Sequence, residues 1–126
     1  MTTTAIPKLI QDYFAATRAM DVEAYLAAFA HDAINYDPVG GEPLNGHEAM
    51  RQFFMGIVGL FDRVGLTEEF VTVAGNEVAV KWKGEGISKN GKAVIFEGID
   101  IFELNSEGLI QTLKAYWDPA EMMAKL

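Results

Sequence analysis

Cysteine is absent from the 126 residues, which removes disulfides, thiolate metal ligands and cysteine nucleophiles. Positive charge is scarce: 10 Lys and Arg stand against 18 Asp and Glu, for a net charge of −8. That balance repels phosphate backbones and anionic lipid surfaces, and the cations form no cluster, so the sequence predicts neither a nucleic-acid nor a membrane partner. No run approaches the roughly 20 apolar residues that span a bilayer. Met1-Thr2-Thr3-Thr4-Ala5 has neither the basic residues nor the apolar stretch of a secretory signal. The expectation is a soluble, cytoplasmic protein.

Other signatures are missing as well. The two histidines, His31 and His47, have no partner at metal-ligand spacing and read as surface residues, so no metal is expected. No G-x-S-x-G or S-x-x-K motif occurs, and Ser88 and Ser106 fall in turns, which argues against covalent catalysis. Gly84-Glu85-Gly86 lies in a strand-like stretch with no helix after it and makes no phosphate loop. No cofactor is expected. What the chain does have is apolar material, 50% of its residues, enough for one core in a single domain over 1–126.

Ile6, Leu9, Ile10, Tyr13 and Phe14 recur at helical spacing, so a helix is predicted over about 5–19, with the Thr run as amino-terminal caps and Pro7 in the first turn. Asp21 caps a second helix whose apolar face is Val22, Tyr25, Leu26 and Phe29. A short strand follows from His31 to Asp37 and ends at Pro38. The Gly- and Pro-rich stretch 38–46 reads as a loop, and a third helix runs from His47 to about Leu60 through Met50, Phe53, Phe54, Ile57 and Val58. Strand-like runs then cover 69–73, 78–82, 94–102 and 109–117, separated by Gly75-Asn76, Lys89-Asn90-Gly91 and 105–108. Short connections imply antiparallel hairpins, and residues 119–126 form a last short helix. Helices followed by a strand meander predict an α+β fold with a curved sheet closing over the helices. The Met residues 50, 55, 122 and 123 read as packing.

A polar side chain in phase with an apolar face is either buried with a partner or lines a cavity. Tyr13 shares the helical stripe of Ile6, Leu9 and Ile10. Asp100 shares a strand face with Val94, Phe96, Gly98 and Phe102, where desolvation favours the neutral acid. Asp37 precedes Pro38 beside a Gly-rich loop. Taken singly, each also fits a plain structural role: a core tyrosine, a turn-capping aspartate or ordinary Asp-Pro turn chemistry.

The segments 10–13, 29–33, Tyr36-Asp37-Pro38-Val39-Gly40-Gly41-Glu42-Pro43, Gly98-Ile99-Asp100 and 110–117 together resemble ketosteroid isomerase of the nuclear transport factor 2-like superfamily, which also holds SnoaL-type polyketide cyclases. The resemblance covers nearly the whole chain. It implies a cone-shaped, cystatin-like α+β fold, with three amino-terminal helices packed in a strongly curved mixed or antiparallel sheet. It further implies an apolar small-molecule substrate (a steroid or polycyclic ketone), no cofactor and a homodimer formed through the outer sheet face. Asp37 would be the general base that moves a proton from the α to the γ carbon of a β,γ-unsaturated ketone, with Tyr13 and protonated Asp100 as the oxyanion hole. Val39, Phe54, Met55, Trp82, Phe96, Leu113 and Trp117 are the expected apolar lining. Phe54 stands where these isomerases carry a tyrosine that hydrogen-bonds the oxyanion tyrosine, and Lys83, Glu85 and Lys89 add charge near the expected funnel. A polyketide cyclase acting on another enolisable carbonyl, or a non-catalytic ligand-binding dimer, would use the same cone.

Overall fold

The computed structural model describes residues 6–126. The expected Thr caps lie outside the described residues; α1 (Lys8–Ala19) follows Pro7 and buries Ile10, Tyr13, Phe14, Ala16 and Thr17, a stripe at three- and four-residue spacing. It ends at Met20 in the left-handed conformation (φ 55°), where Asp21 N–H returns to Ala16 O at 3.0 Å. Asp21 then caps α2 (Val22–Ala27), its side chain accepting from Ala24 N–H at 3.1 Å. β1 (Phe29–Tyr36) and the two-residue β2 (Leu44–Asn45) flank the Gly-rich loop, and α3 (Gly46–Val58) completes the helical half.

Four strands follow: β3 (Phe61–Ala74), β4 (Glu77–Ser88), β5 (Ala93–Leu104) and β6 (Ile110–Tyr116), then α4 (Pro119–Ala124). Together with β1 and β2 they make one six-stranded curved sheet in the order β2-β1-β6-β5-β4-β3. The hairpins are antiparallel as expected, while β1 and β6 run parallel, so the sheet is mixed. Its inner face packs on the helices, with α1 over β3 and α3 over β1.

β3 and β4 are longer than the sequence pattern predicts. Register shifts at Phe61/Arg63 and Glu68/Phe70 break the period of two in β3, and Gly84 and Gly86, residues that usually interrupt strands, lie within β4. Those glycines serve close approach. A Cβ on Gly84 would sit 2.5 Å from the Phe96 ring and one on Gly98 would sit 2.5 Å from Trp82 Cζ2. Since Gly84 pairs with Phe96 and Gly98 with Trp82 across β4 and β5, each bulky ring lies over a glycine on the neighbouring strand.

Candidate active site

Tyr13 and Thr17 of α1, Tyr25 of α2, Phe54 and Ile57 of α3, Leu66 of β3, Trp82 of β4, Phe96 and Asp100 of β5, and Asp37 and Trp117 beyond β1 and β6 all face one partly enclosed cavity. About 590 Å³ of space lies between its walls, part of it open to solvent. Its wall is mainly apolar, and two carboxyls and two phenols are the ionisable groups in it.

The sequence-predicted trio thus converges. Tyr13 is held by edge-on contacts with Phe14 (5.0 Å between centroids) and Phe102 (5.1 Å), contacts that fix a ring without occupying its hydroxyl. Burial, with smaller contributions from Asp100, Tyr25 and Asp37, raises its pKa, so the phenol keeps its proton. Asp100 is 2% exposed on the inner face of β5, with Val80 and Ala115 as its cross-strand neighbours. Burial first and the Asp37 charge second push its pKa well up, against a smaller opposing effect of the Trp82 indole. Trp82 Nε1 and Asp100 Oδ2 are nevertheless both buried without a hydrogen-bond partner among the described residues.

Asp37 follows the end of β1 and is joined to Pro38 by a cis peptide bond. Its Oδ1 accepts the Trp117 indole N–H at 2.6 Å. Burial raises its pKa to about 6, while the Trp117 hydrogen bond and, less strongly, the Asn35 side chain favour the ionised form. Burial thus shifts both carboxyls towards the neutral form, Asp100 well above its ordinary value and Asp37, steadied by the Trp117 indole, to about 6. One apolar chamber therefore holds two carboxyls of unequal acidity.

The expected lining divides. Phe54, Trp82, Phe96 and Trp117 face the cavity; Val39, Met55 and Leu113 do not. Met55 is next to Phe54 on α3, about a quarter-turn round the helix, and is 50% exposed. Val39 donates its backbone N–H to Ala115 O at 2.8 Å, which directs its side chain outward, 40% exposed. Leu113 pairs with Asn35 and Phe102 and is fully buried in the packed core away from the cavity. Half-buried Lys83 pairs with exposed Glu85 away from the inner face, and Lys89 pairs with Asp62, so these charges stay out of the chamber. His31 is exposed, whereas His47 is half-buried and bonds Phe29 O at 3.0 Å. Among the described residues no three His, Asp or Glu side chains are grouped to hold a metal ion.

Two polar residues were missed. Tyr25 was read as part of an apolar helix face, although it passes the same phase test that singled out Tyr13. Asn35 is fully buried two residues before Asp37 on the inner face of β1, and strand alternation alone marks it. Its Nδ2 donates to Tyr25 Oη at 3.2 Å.

The curved six-stranded sheet closed over amino-terminal helices is the fold of the nuclear transport factor 2-like class, to which the chain belongs. Within it, the chain belongs to the SnoaL-like domain family, which matches residues 10–112. A protein named steroid Delta-isomerase from Nocardioides simplex is 26% identical over 100 residues, 79% of each chain. The structure of SalBIII, described as an epoxide hydrolase/cyclase-like enzyme in pyran ring formation in the polyether salinomycin, is 26% identical with a TM-score of 0.79 over 90% of both chains. A protein of ketosteroid isomerase-like fold from Catenulispora acidiphila reaches a TM-score of 0.83 over 96% of this chain and 93% of that one at 17% identity, a likeness of fold.

Proposed function

We propose that the chain is a cofactor-independent isomerase that moves a β,γ double bond into conjugation with a ketone, with a Δ5-3-ketosteroid as the substrate class. The observation that carries this reading is the unequal carboxyl pair in one apolar cavity: Asp37 with a pKa raised to about 6 and bonded to Trp117, and Asp100 buried without a partner for Oδ2 among the described residues and shifted well up towards its neutral form. Ionised Asp37 takes the proton α to the carbonyl, and the C–H electron pair becomes the dienolate. Tyr13 and Asp100 donate hydrogen bonds to the dienolate oxygen, where negative charge gathers. The Asp37 acid then returns the same proton to the γ carbon, so no atom is gained or lost. The relative named steroid Delta-isomerase supports the substrate class.

A second reading keeps the same groups for ring closure. Asp37 would take the proton of an attacking hydroxyl and Asp100 would give one to an epoxide oxygen, as the likeness to SalBIII suggests. The two readings part in one assay. Purified wild type and Asp37→Asn are incubated with a Δ5-3-ketosteroid while the ultraviolet absorbance of the conjugated enone is followed. The expected result is conversion by the wild type and a loss of about 10²–10⁴-fold in the variant. No enone from the wild type would remove the isomerase reading and favour ring closure.

A further inference from the structure

Tyr25 has no part in the proton transfer described above, and Asn35 bears on it only through its weak support of the Asp37 carboxylate, yet the two form a further polar pair at this cavity. Tyr25 is 2% exposed and faces the chamber from α2, its ring 5.6 Å from that of Tyr13 and 4.4 Å from that of Phe54. Asn35 is fully buried behind it, and its amide donates to Tyr25 Oη at 3.2 Å while its own Oδ1 has no partner among the described residues. An apolar residue at position 35 would avoid the cost of burying a half-satisfied amide. Besides its weaker effect on the Asp37 carboxylate, the amide's well-formed hydrogen bond fixes the Tyr25 hydroxyl. Because that oxygen is already accepting from Asn35, the phenolic proton is left for another acceptor. Burial, with Asp37 and Asp100 nearby, keeps the phenol protonated.

We propose that Tyr25 is a further hydrogen-bond donor of the cavity, oriented by Asn35, and that it selects apolar polycyclic ligands bearing a hydroxyl or enolate-like oxygen. The inference deepens the proposed function, since it rests on reading the chamber as a site for a developing oxyanion. Phe54 of α3 contributes the apolar ring on which this phenol packs.

The test compares binding of 2-naphthol with that of naphthalene, by titration calorimetry, to wild type, Tyr25→Phe, Asn35→Val and the double variant. Tyr25→Phe should weaken 2-naphthol roughly tenfold and leave naphthalene within about twofold, because only the former carries an oxygen to receive the bond. Asn35→Val should weaken 2-naphthol in the presence of Tyr25 and have little further effect in its absence. An unchanged affinity of Tyr25→Phe for 2-naphthol would mean that Tyr25 donates to Asn35 instead, and would overturn the proposal. Equal losses for both ligands would reduce Tyr25 to packing, and failure of the wild type to bind 2-naphthol would also overturn it. Selectivity for 2-naphthol without turnover of the ketosteroid would sink the isomerase reading alone.

Discussion

Trp117 grips Asp37 through one short hydrogen bond, and that contact opposes the effect of burial on the carboxyl. Trp117→Phe keeps an aromatic wall but withdraws the donor, so the Asp37 pKa should rise further above 6. The acid limb of kcat/KM, expected near pH 6 in the wild type, should move to higher pH in the variant, with a larger loss of activity at pH 6 than at pH 8. The same carboxyl weakens the fold. Below its ordinary value of 3.8 Asp37 is protonated whether the chain is folded or not, and burial adds no ionic penalty. Between pH 3.8 and about 6 the unfolded chain has released this proton while the folded chain still holds it, so stability falls across that window and levels off above it. Asp37→Asn should therefore be more stable than wild type at pH 8, by on the order of 2 kcal/mol, and no more stable at pH 3.5. Urea denaturation at the two pH values checks this, and equal stabilities at pH 8 would contradict the assigned shift.

The strands position these groups, and the glycines of β4 and β5 set how far the aromatic wall can close. A methyl group on Gly98 would meet Trp82 Cζ2 at 2.5 Å, Trp117 Cβ at 2.8 Å and Tyr116 O at 2.8 Å, the last a backbone atom with little room to yield. Gly98→Ala is expected to cost about 1–3 kcal/mol in denaturant unfolding and to weaken ligand binding by displacing the two indoles. The inner phase of β5 was legible beforehand, because Val94, Phe96, Asp100 and Phe102 keep strict alternation and no bulge interrupts the pairing with β4. So were α1, the Asp21 cap and the place of Tyr13. The full length of β3 was not, since its bulges shift which residues face inward, and β2 has only two residues to carry a pattern. Val39, Met55 and Leu113 were placed in the wall from apolarity, which does not distinguish core, wall and surface; Tyr25 escaped because its apolar neighbours made it look like core, and Asn35 because its strand was recognised by its β-branched and aromatic residues rather than by its phase.

On the outer surface of the whole molecule, strand register lines up Tyr116, Ile99, Lys81 and Phe70 in one row across four strands. Tyr116, Ile99 and Phe70 are 48%, 46% and 63% exposed, and Ile95, further along the same face of β5, is 53% exposed. Apolar side chains grouped in this way suit a second copy of the chain, in keeping with the expected homodimer. Wild type should sediment as a dimer and Ile99→Lys as a monomer; a monomeric wild type at micromolar concentration would refute the assignment. The protein's two tryptophans, Trp82 and Trp117, both stand in the wall of the chamber, and one of them is bonded to the titrating carboxyl. With excitation selective for tryptophan, the emission therefore originates at the site, and the unlabelled molecule is its own optical sensor for proton release and for ligand entry.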